Sequence, residues 1–361
     1  MSTEPMKAVN RARASRRRLR ARSTLDLGTT SLFSPFSTEP IAADDPDSPS
    51  DETGPRAALL TRLFTMTQAI GQLAPHAAKN CGITPRPGQR VGFLRRAGRV
   101  ILTGVAECRR HRFCPRCARA KLREQRSDIT ELLRGAHATG GDAIMVSLSV
   151  KFSASSLMER WDTLAAMLTA LSKSKRAATA RKRVGKAGQV KFLHLVHGRS
   201  GWHAHLHLLY VLDRSVARTE VDELARVEES VWQEIADKHN CKAVPMAQVH
   251  RLVERAQDDR ERVARYFTKA LEEIELGTTV DEEILRCRAD HDGSRSGWQL
   301  IEDYALREDP SAAKPLQEWL RVMIHTKRQS THIPRALIEK LRRATDARGN
   351  DRCTGEAEGS R

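Results

Sequence analysis

The run Gly201-Trp-His-Ala-His-Leu-His-Leu-Leu-Tyr210 constrains this chain more than any other segment. Three of the 13 histidines fall there at alternate positions, and side chains of an extended strand point alternately to its two faces. His203, His205 and His207 therefore share one face, while Ala204, Leu206 and Leu208 occupy the other. One face carries imidazole and the other is built to be buried. A row of half-buried structural histidines would give the same pattern, but ligation of a metal ion accounts better for three imidazoles on one strand face.

The segment before it, about Gln189–His197, also reads as a strand, and Gly198-Arg199-Ser200-Gly201 between them has the composition of a hairpin turn. If the two glycines flank a two-residue turn, His194 lies opposite His205 and Phe192 opposite His207. His194 then joins the imidazole face, whereas His197 points away from it. Ligands from two adjacent strands surround a cation better than ligands from one.

Around this hairpin the elements follow a legible order. Ile144–Phe152 alternates Val146, Leu148 and Val150 as a strand does. Ser155 or Ser156 then caps a helix carrying Leu157, Trp161, Leu164, Leu168 and Leu171, ending near Lys173. Beyond the hairpin come a helix over about Ala217–Lys238, a strand over Val244–Val253 and a helix over Asp259–Glu275. The order βαββαβα predicts an α+β fold of the ferredoxin-like, split βαβ kind, an antiparallel sheet with helices on one face and the other face available for a site.

The chain has three tyrosines. Tyr210 is an odd number of residues from His207 and so faces away from the imidazoles, and Tyr304 lies in a C-terminal stretch without nearby chemistry. Tyr266 remains, with Lys269 three residues on and on the same helix face. A tyrosine attacking a phosphodiester needs a metal to polarise the phosphate, and a lysine can support the phosphate or the phenolate. Tyr-x-x-Lys alone carries no information, because half-buried helix tyrosines are far commoner. It gains meaning from the histidines upstream.

Seven cysteines, an odd number unevenly spaced, do not make a secreted disulfide framework. Cys108, Cys114 and Cys117 have spacing suited to a tetrahedral zinc, with Cys81 as the natural fourth ligand and His111 as a substitute. Four protein ligands leave no open position, so such a site is structural; buried free thiols are the alternative. Cys241, Cys287 and Cys353 are isolated and receive no role.

Lys and Arg number 62 against 45 acidic residues, a formal charge of +17, and a polyanionic partner follows, nucleic acid first. Lys7–Arg22 is a basic arm, phosphate-gripping or merely solvated, and the Ser, Thr, Pro and Asp of 23–55 form a linker too polar to fold. An apolar-periodic stretch from about Arg56 to Gly71 predicts the first helix. The expected organisation is a disordered arm and linker over 1–55, a Cys-rich zinc module with flanking helices over 56–140, a catalytic domain over 141–278, and a helical C-terminal region with a disordered tail over 279–361. The basic segment Lys173–Lys191, with Arg176, Arg181, Lys182, Arg183 and Lys186, reads as a phosphate-contacting loop, or as a solvated one. No apolar run approaches the roughly 18 residues of a membrane span, and the basic N-terminus lacks a signal peptide's apolar stretch, so the expected location is cytoplasmic.

Three blocks, Arg112-Phe-Cys-Pro-Arg-Cys117, Gly201-Trp-His-Ala-His-Leu-His207 and Ala264-Arg-Tyr-Phe-Thr-Lys269, together with Val146-Ser-Leu-Ser-Val150, resemble the HUH endonuclease superfamily. Within it they resemble the single-tyrosine replication initiators of rolling-circle plasmids. The resemblance implies that His205 and His207 bind Mg²⁺ or Mn²⁺, and that Tyr266 forms a 5′-phosphotyrosyl intermediate on single-stranded origin DNA. The freed 3′-hydroxyl then primes synthesis, with a host helicase as a further partner. Relatives often carry a glutamate where this chain has His194, so the third ligand is of changed type. Some place a water-activating glutamate four residues before the tyrosine, where Arg262 stands here, with Glu261 one residue earlier and about 100° away around the helix. A tyrosine transposase or conjugative relaxase would share the metal and nucleophile. A zinc-containing nucleic-acid-binding protein without catalysis is the rival from another class. Oligomeric state, origin and termination mechanism stay open.

Overall fold

The computed structural model describes residues 53–74, 81–96, 99–152, 156–277, 294–326 and 331–355. The expected arm, most of the linker, the tail beyond 355 and Cys287 lie outside the described residues. In chain order the structure has α1 (Thr53–Leu73), β1 (Gly92–Arg96), β2 (Arg99–Thr103), α2 (Pro115–Ala138), β3 (Ala143–Lys151), α3 (Leu157–Lys173), α4 (Lys175–Arg183), β4 (Lys186–Gly198) and β5 (Gly201–Leu212). There follow α5 (Arg218–Lys238), β6 (Lys242–Ala243), β7 (Val249–Leu252), α6 (Gln257–Phe267), α7 (Ala270–Leu276), β8 (Arg295–Ser296), α8 (Gly297–Leu306), α9 (Ala313–His325), β9 (Thr331–His332) and α10 (Arg335–Gly355).

The fold is α+β with an antiparallel sheet. β5 lies at its centre, between β3 and β4, and β7 pairs with the far side of β3, giving the order β7-β3-β5-β4. β6 extends β3, and the short β8 and β9 cover the outer edge of β4. The β4–β5 register pairs Gly198 with Gly201, His194 with His205 and Phe192 with His207, as the two-residue turn requires. Gly201 has φ +87°, a left-handed conformation that glycine adopts without cost.

Strand alternation divides the apolar residues between two cores. Ile144, Val146 and Leu148 of β3 and Leu206, Leu208 and Tyr210 of β5 pack under α3 and α5, where Trp161 and Trp232 are the largest buried side chains. Ser156 caps α3 through a capping box: its hydroxyl accepts from the Glu159 N–H, and the Glu159 carboxylate accepts from the Ser156 N–H at 2.8 Å. On the other face Met145, Val190, Leu209 and Val211 meet Ile129, Leu132 and Leu133 of α2, Val263 and Phe267 of α6, and Ile338 of α10. The face expected to be free is thus partly roofed, because α2, α6 and α10 each present an apolar stripe to it.

Three local expectations are corrected. Val244–Val253 is not one strand: Pro245 cannot donate to a ladder, and a 3-10 turn at Pro245–Ala247 separates β6 from β7. Asp259–Glu275 is not one helix: the Thr268 hydroxyl bonds the Ala264 carbonyl at 2.8 Å, and the helix breaks between α6 and α7. The supposed loop Lys173–Lys191 is α4 followed by the start of β4. Ser174 caps α4 by accepting from the Ala177 N–H, and Ala177, Ala180 and Val184 supply a buried stripe at helical spacing. The elements from Thr53 onward all fall within a single compact unit, Asp51–Arg361. Among the described residues no helix is long and apolar enough to cross a membrane.

A buried ionic group ties α5 to the sheet. Glu228, wholly inaccessible, accepts from the Tyr210 hydroxyl at 2.8 Å and from His250 Nε2 at 2.9 Å, and lies 3.5 Å from the Arg181 guanidinium. Removing one member strands the rest in a medium that cannot solvate them, a loss of about 3–5 kcal/mol. Glu228→Ala is expected to lower the unfolding free energy in urea by that amount; a loss below about 1 kcal/mol would contradict the burial of this group.

Candidate active site and metal centre

The alternation that buries Leu206 and Leu208 sends His205 and His207 to the opposite face, and the hairpin register adds His194. Ring centroids are 6.2 Å apart for His194 and His205, 5.9 Å for His194 and His207, and 6.3 Å for His205 and His207. Phe192 stacks against both His194 and His207, so an apolar wall closes one side of the cluster. His203, half-buried, lies two residues nearer the turn and opposite Val196. β3 contributes as well: Ser149, opposite His205, places its hydroxyl 2.7 Å from His205 Nδ1. That contact fixes the ring, and coordination through Nε2 would preserve it.

Tyr266 occupies the last turn of α6 and is almost wholly buried. Its hydroxyl lies 3.2 and 3.3 Å from the two ring nitrogens of His207, with the rings nearly perpendicular and 5.1 Å apart. Lys269, at the helix break, is buried too and holds its ammonium 5.1 Å from the centre of the Tyr266 ring. Burial, and then electrostatic repulsion from the neighbouring Lys269 and the His205 ring, push His207 well below the usual histidine range. It stays a neutral imidazole at neutral pH, the form that ligates metals or accepts a proton. The donor set suits a divalent transition ion or Mn²⁺. The histidine nitrogens stand wider apart than a closed coordination sphere, so side-chain rotation would have to bring them together.

The cysteines are already close. Cys81, Cys108, Cys114 and Cys117 place all four sulfurs within 4.8 Å of one another, the one group of His, Cys, Asp and Glu among the described residues that does so, and it can hold a metal such as zinc. Cys81 lies before the β1–β2 hairpin and Cys108 after it. Cys114 is the N-cap of α2, its extended backbone set by the following Pro115, and Cys117 sits in the first turn. Hydrogen bonds from Cys114 and then Cys117 bring the Cys108 thiol down to about 7, while the same mutual contacts push Cys114 and Cys117 up, so the four sulfurs share their protons unevenly. His111, the substitute ligand, is not needed. Cys241 is buried with a raised thiol pKa from desolvation, as befits an inert core cysteine.

α2 connects the two centres. Arg126, three turns along it, donates to the Thr268 hydroxyl at 2.9 Å and to Glu272 at 2.9 Å, clasping the break between Tyr266 and Lys269 from outside. Arg119 and Arg123 hold Glu275 at 2.5 and 2.7 Å. From the sequence Arg123 and Arg126 receive no role, Arg119 figures only as one of five arginines of the cysteine segment, and Ser149 only within the block Val146–Val150. Ser149 was legible, since Ser147 and Ser149 alternate with Val146, Leu148 and Val150; the arginines left no local signal.

The basic candidates lie elsewhere. Arg176 pairs with Glu234 at 2.5 Å and Arg183 with Glu223 at 3.0 Å on the surface of α5, and Arg181 is buried against Glu228. Lys186 covers the Tyr210 ring at 4.3 Å, and burial brings it down to about 8; Lys182 is exposed. α4 packs under the sheet face opposite the histidines, so these residues do not join the tyrosine site. Glu261 is exposed and accepts from Gln257 at 2.8 Å.

No family model, curated protein or solved structure matches this chain.

Protein purified without chelator is expected to carry one zinc ion per chain by elemental analysis, and Cys117→Ser to lose it together with thermal stability. A zinc-free wild type that melts no differently after exhaustive chelation would exclude the four-cysteine centre.

Proposed function

We propose that the protein is a divalent-metal-dependent nickase of single-stranded DNA, with Tyr266 as nucleophile, acting as a rolling-circle replication initiator of the HUH kind. The observation that carries this reading is the Tyr266 hydroxyl 3.2 Å from a neutral, buried His207, on the face shared with His194 and His205. The strand order β7-β3-β5-β4 is that of a split βαβ sheet and supports the same reading. A four-cysteine module beside a net charge of +17 fits a nucleic-acid substrate.

In this mechanism the Tyr266 oxygen attacks the phosphorus of a backbone phosphodiester. The bond to the 3′-oxygen breaks, a phosphotyrosyl ester to the 5′ side forms, and a 3′-hydroxyl departs. The phenolic proton is lost to solvent, because the single lone pair of the neutral His207 ring is the one that would ligate the ion, and the departing 3′-oxygen takes up a proton from solvent. Lys269, above the ring face, stabilises the phenolate before attack and then the phosphate charge. His205 and His207, with His194 and His203 nearby, are the residues that would hold the divalent ion, and as an imidazole set they would favour Mn²⁺ over Mg²⁺. When bound, the ion polarises the scissile phosphate and screens its charge. The cysteine centre holds structural zinc and sets the start of α2.

Tyr266→Phe, which keeps the buried ring and forfeits about 1 kcal/mol of hydrogen bonding, is expected to abolish covalent attachment to single-stranded DNA while binding persists. Attachment by this variant, read on denaturing gels, would falsify the assignment. His194 provides a separate test. His194→Ala should need more metal for half-maximal attachment, by at least the roughly 10- to 100-fold that loss of even an outer partner costs. His194→Glu should remain active and shift its preference towards Mg²⁺, since carboxylate is the harder ligand. Identical metal titrations for wild type and His194→Ala would return the third-ligand role to His203.

A further inference from the structure

Beside Lys269 and His194, on the β4 side of the tyrosine, the chain encloses a cleft of about 420 Å³ that no step above uses. Its lining is largely apolar and aromatic: Leu195 of β4 shares a core with Trp298 and Trp319, whose rings meet edge to face with centroids 5.5 Å apart, and Phe192 lines it from the other face of β4, beside the histidines. Its mouth is charged. Lys121 and Arg335 converge there on Glu124, and Arg335 also reaches Asp128 at 3.1 Å.

One wall residue has chemistry to spare. Gln125 of α2 is half-buried, lines the cleft, and its amide makes no hydrogen bond to any described residue. A side-chain amide offers one acceptor and two donors at fixed separation, the complement of a nucleobase edge. Single-stranded nucleic acids are recognised by taking bases out of the stack, setting them against aromatic or apolar surface and reading their edges. The volume lies in the range of small-ligand pockets, and a planar heterocycle fits it with its sugar at the mouth. The backbone phosphate of such a nucleotide would lie near Lys269, whose ammonium also covers the Tyr266 ring.

We propose that this cleft seats one unstacked base of the DNA strand next to the scissile phosphate, with Gln125 reading its edge. The inference rests on the nickase reading, deepening it from cleavage of single strands to a preference at a particular nucleotide. Parts of the chain distant in sequence build the seat: α2 behind the cysteine centre, Trp161 of α3, β4 of the sheet, the α6–α7 break, and the C-terminal α8, α9, β9 and α10.

Two measurements test it. In the first, full-length Tyr266→Phe protein is irradiated with a random-sequence single-stranded DNA pool carrying 5-iodouracil in place of thymine, and crosslinked peptides are mapped by mass spectrometry. Crosslinks are expected at Phe192, Trp298, Trp319 or His332; crosslinks confined to other surfaces, such as α4, would overturn the seat. In the second, covalent adducts formed from the unsubstituted pool are sequenced for wild type and for Gln125→Ala. The wild type should favour one base at a single position beside the cut by roughly tenfold, the discrimination one well-placed amide supplies, and Gln125→Ala should reduce that to below about twofold at that position alone. An unchanged preference would remove Gln125 as the reader. Tyrosine adducts with crosslinks outside the cleft would refute the seat and keep the nickase, whereas crosslinks in the cleft without any adduct would refute the nickase and keep a single-strand site.

Discussion

Everything in this molecule depends on the pairing register of β4 with β5. Because side chains alternate, a slip of one residue would turn Leu206 and Leu208 towards the tyrosine and drive His205 and His207 beneath α3 and α5. Each leucine buried there contributes about 1.5–3 kcal/mol, and unpaired imidazole in the same place would cost energy instead. Register is therefore enforced from both sides, by β3 along one edge of β5 and by the Gly198–Gly201 turn along the other. The same free energy that closes the core aims the histidines.

The second organising element is α2, a helix of 24 residues. Its N-cap and first turn carry two of the four cysteines, its middle holds Arg126 against the α6–α7 break, and its flank receives α10 through Arg342 and Glu131 at 2.6 Å. A metal held by the four cysteines would thus sit at one end of a rod whose middle reaches the residues around Tyr266. The close approach of Leu341 at Gly135, where a methyl group would meet the leucine at 2.9 Å, fixes how α10 lies on that rod.

Much of this was legible in the sequence, for a physical reason. Alternation in β5, the two glycines of the turn and the cysteine spacing are short-range patterns, and each maps directly onto a geometric consequence. The hairpin register, the convergence of His194 with His205, the cap at Ser156 and the four-cysteine group followed from such patterns. What escaped is of two kinds. Some features were local but read by composition rather than period: the basic residues of α4 looked like a loop because their charge drew attention from Ala177, Ala180 and Val184 beneath them, and Pro245 was passed over within an apolar run. Others arise only in three dimensions. Arg126 meets Thr268 across 142 residues, and the roofing of the histidine face by α2, α6 and α10 depends on where those helices travel, which no window of sequence contains.

The turn of Arg199 and Ser200 also bears on the order of events when the chain first folds. Closing so short a connection costs little chain entropy, and isolated hairpins form in about 1–10 μs. Tyr266 and Cys81 must instead be recruited from far along the chain, a slower search. On those timescales the paired imidazoles would come together before the long-range contacts to Tyr266 and Cys81. A cation captured at that stage would favour the native strand pairing over its slipped alternatives, so the histidines would take part in building the fold as well as in decorating one face of it.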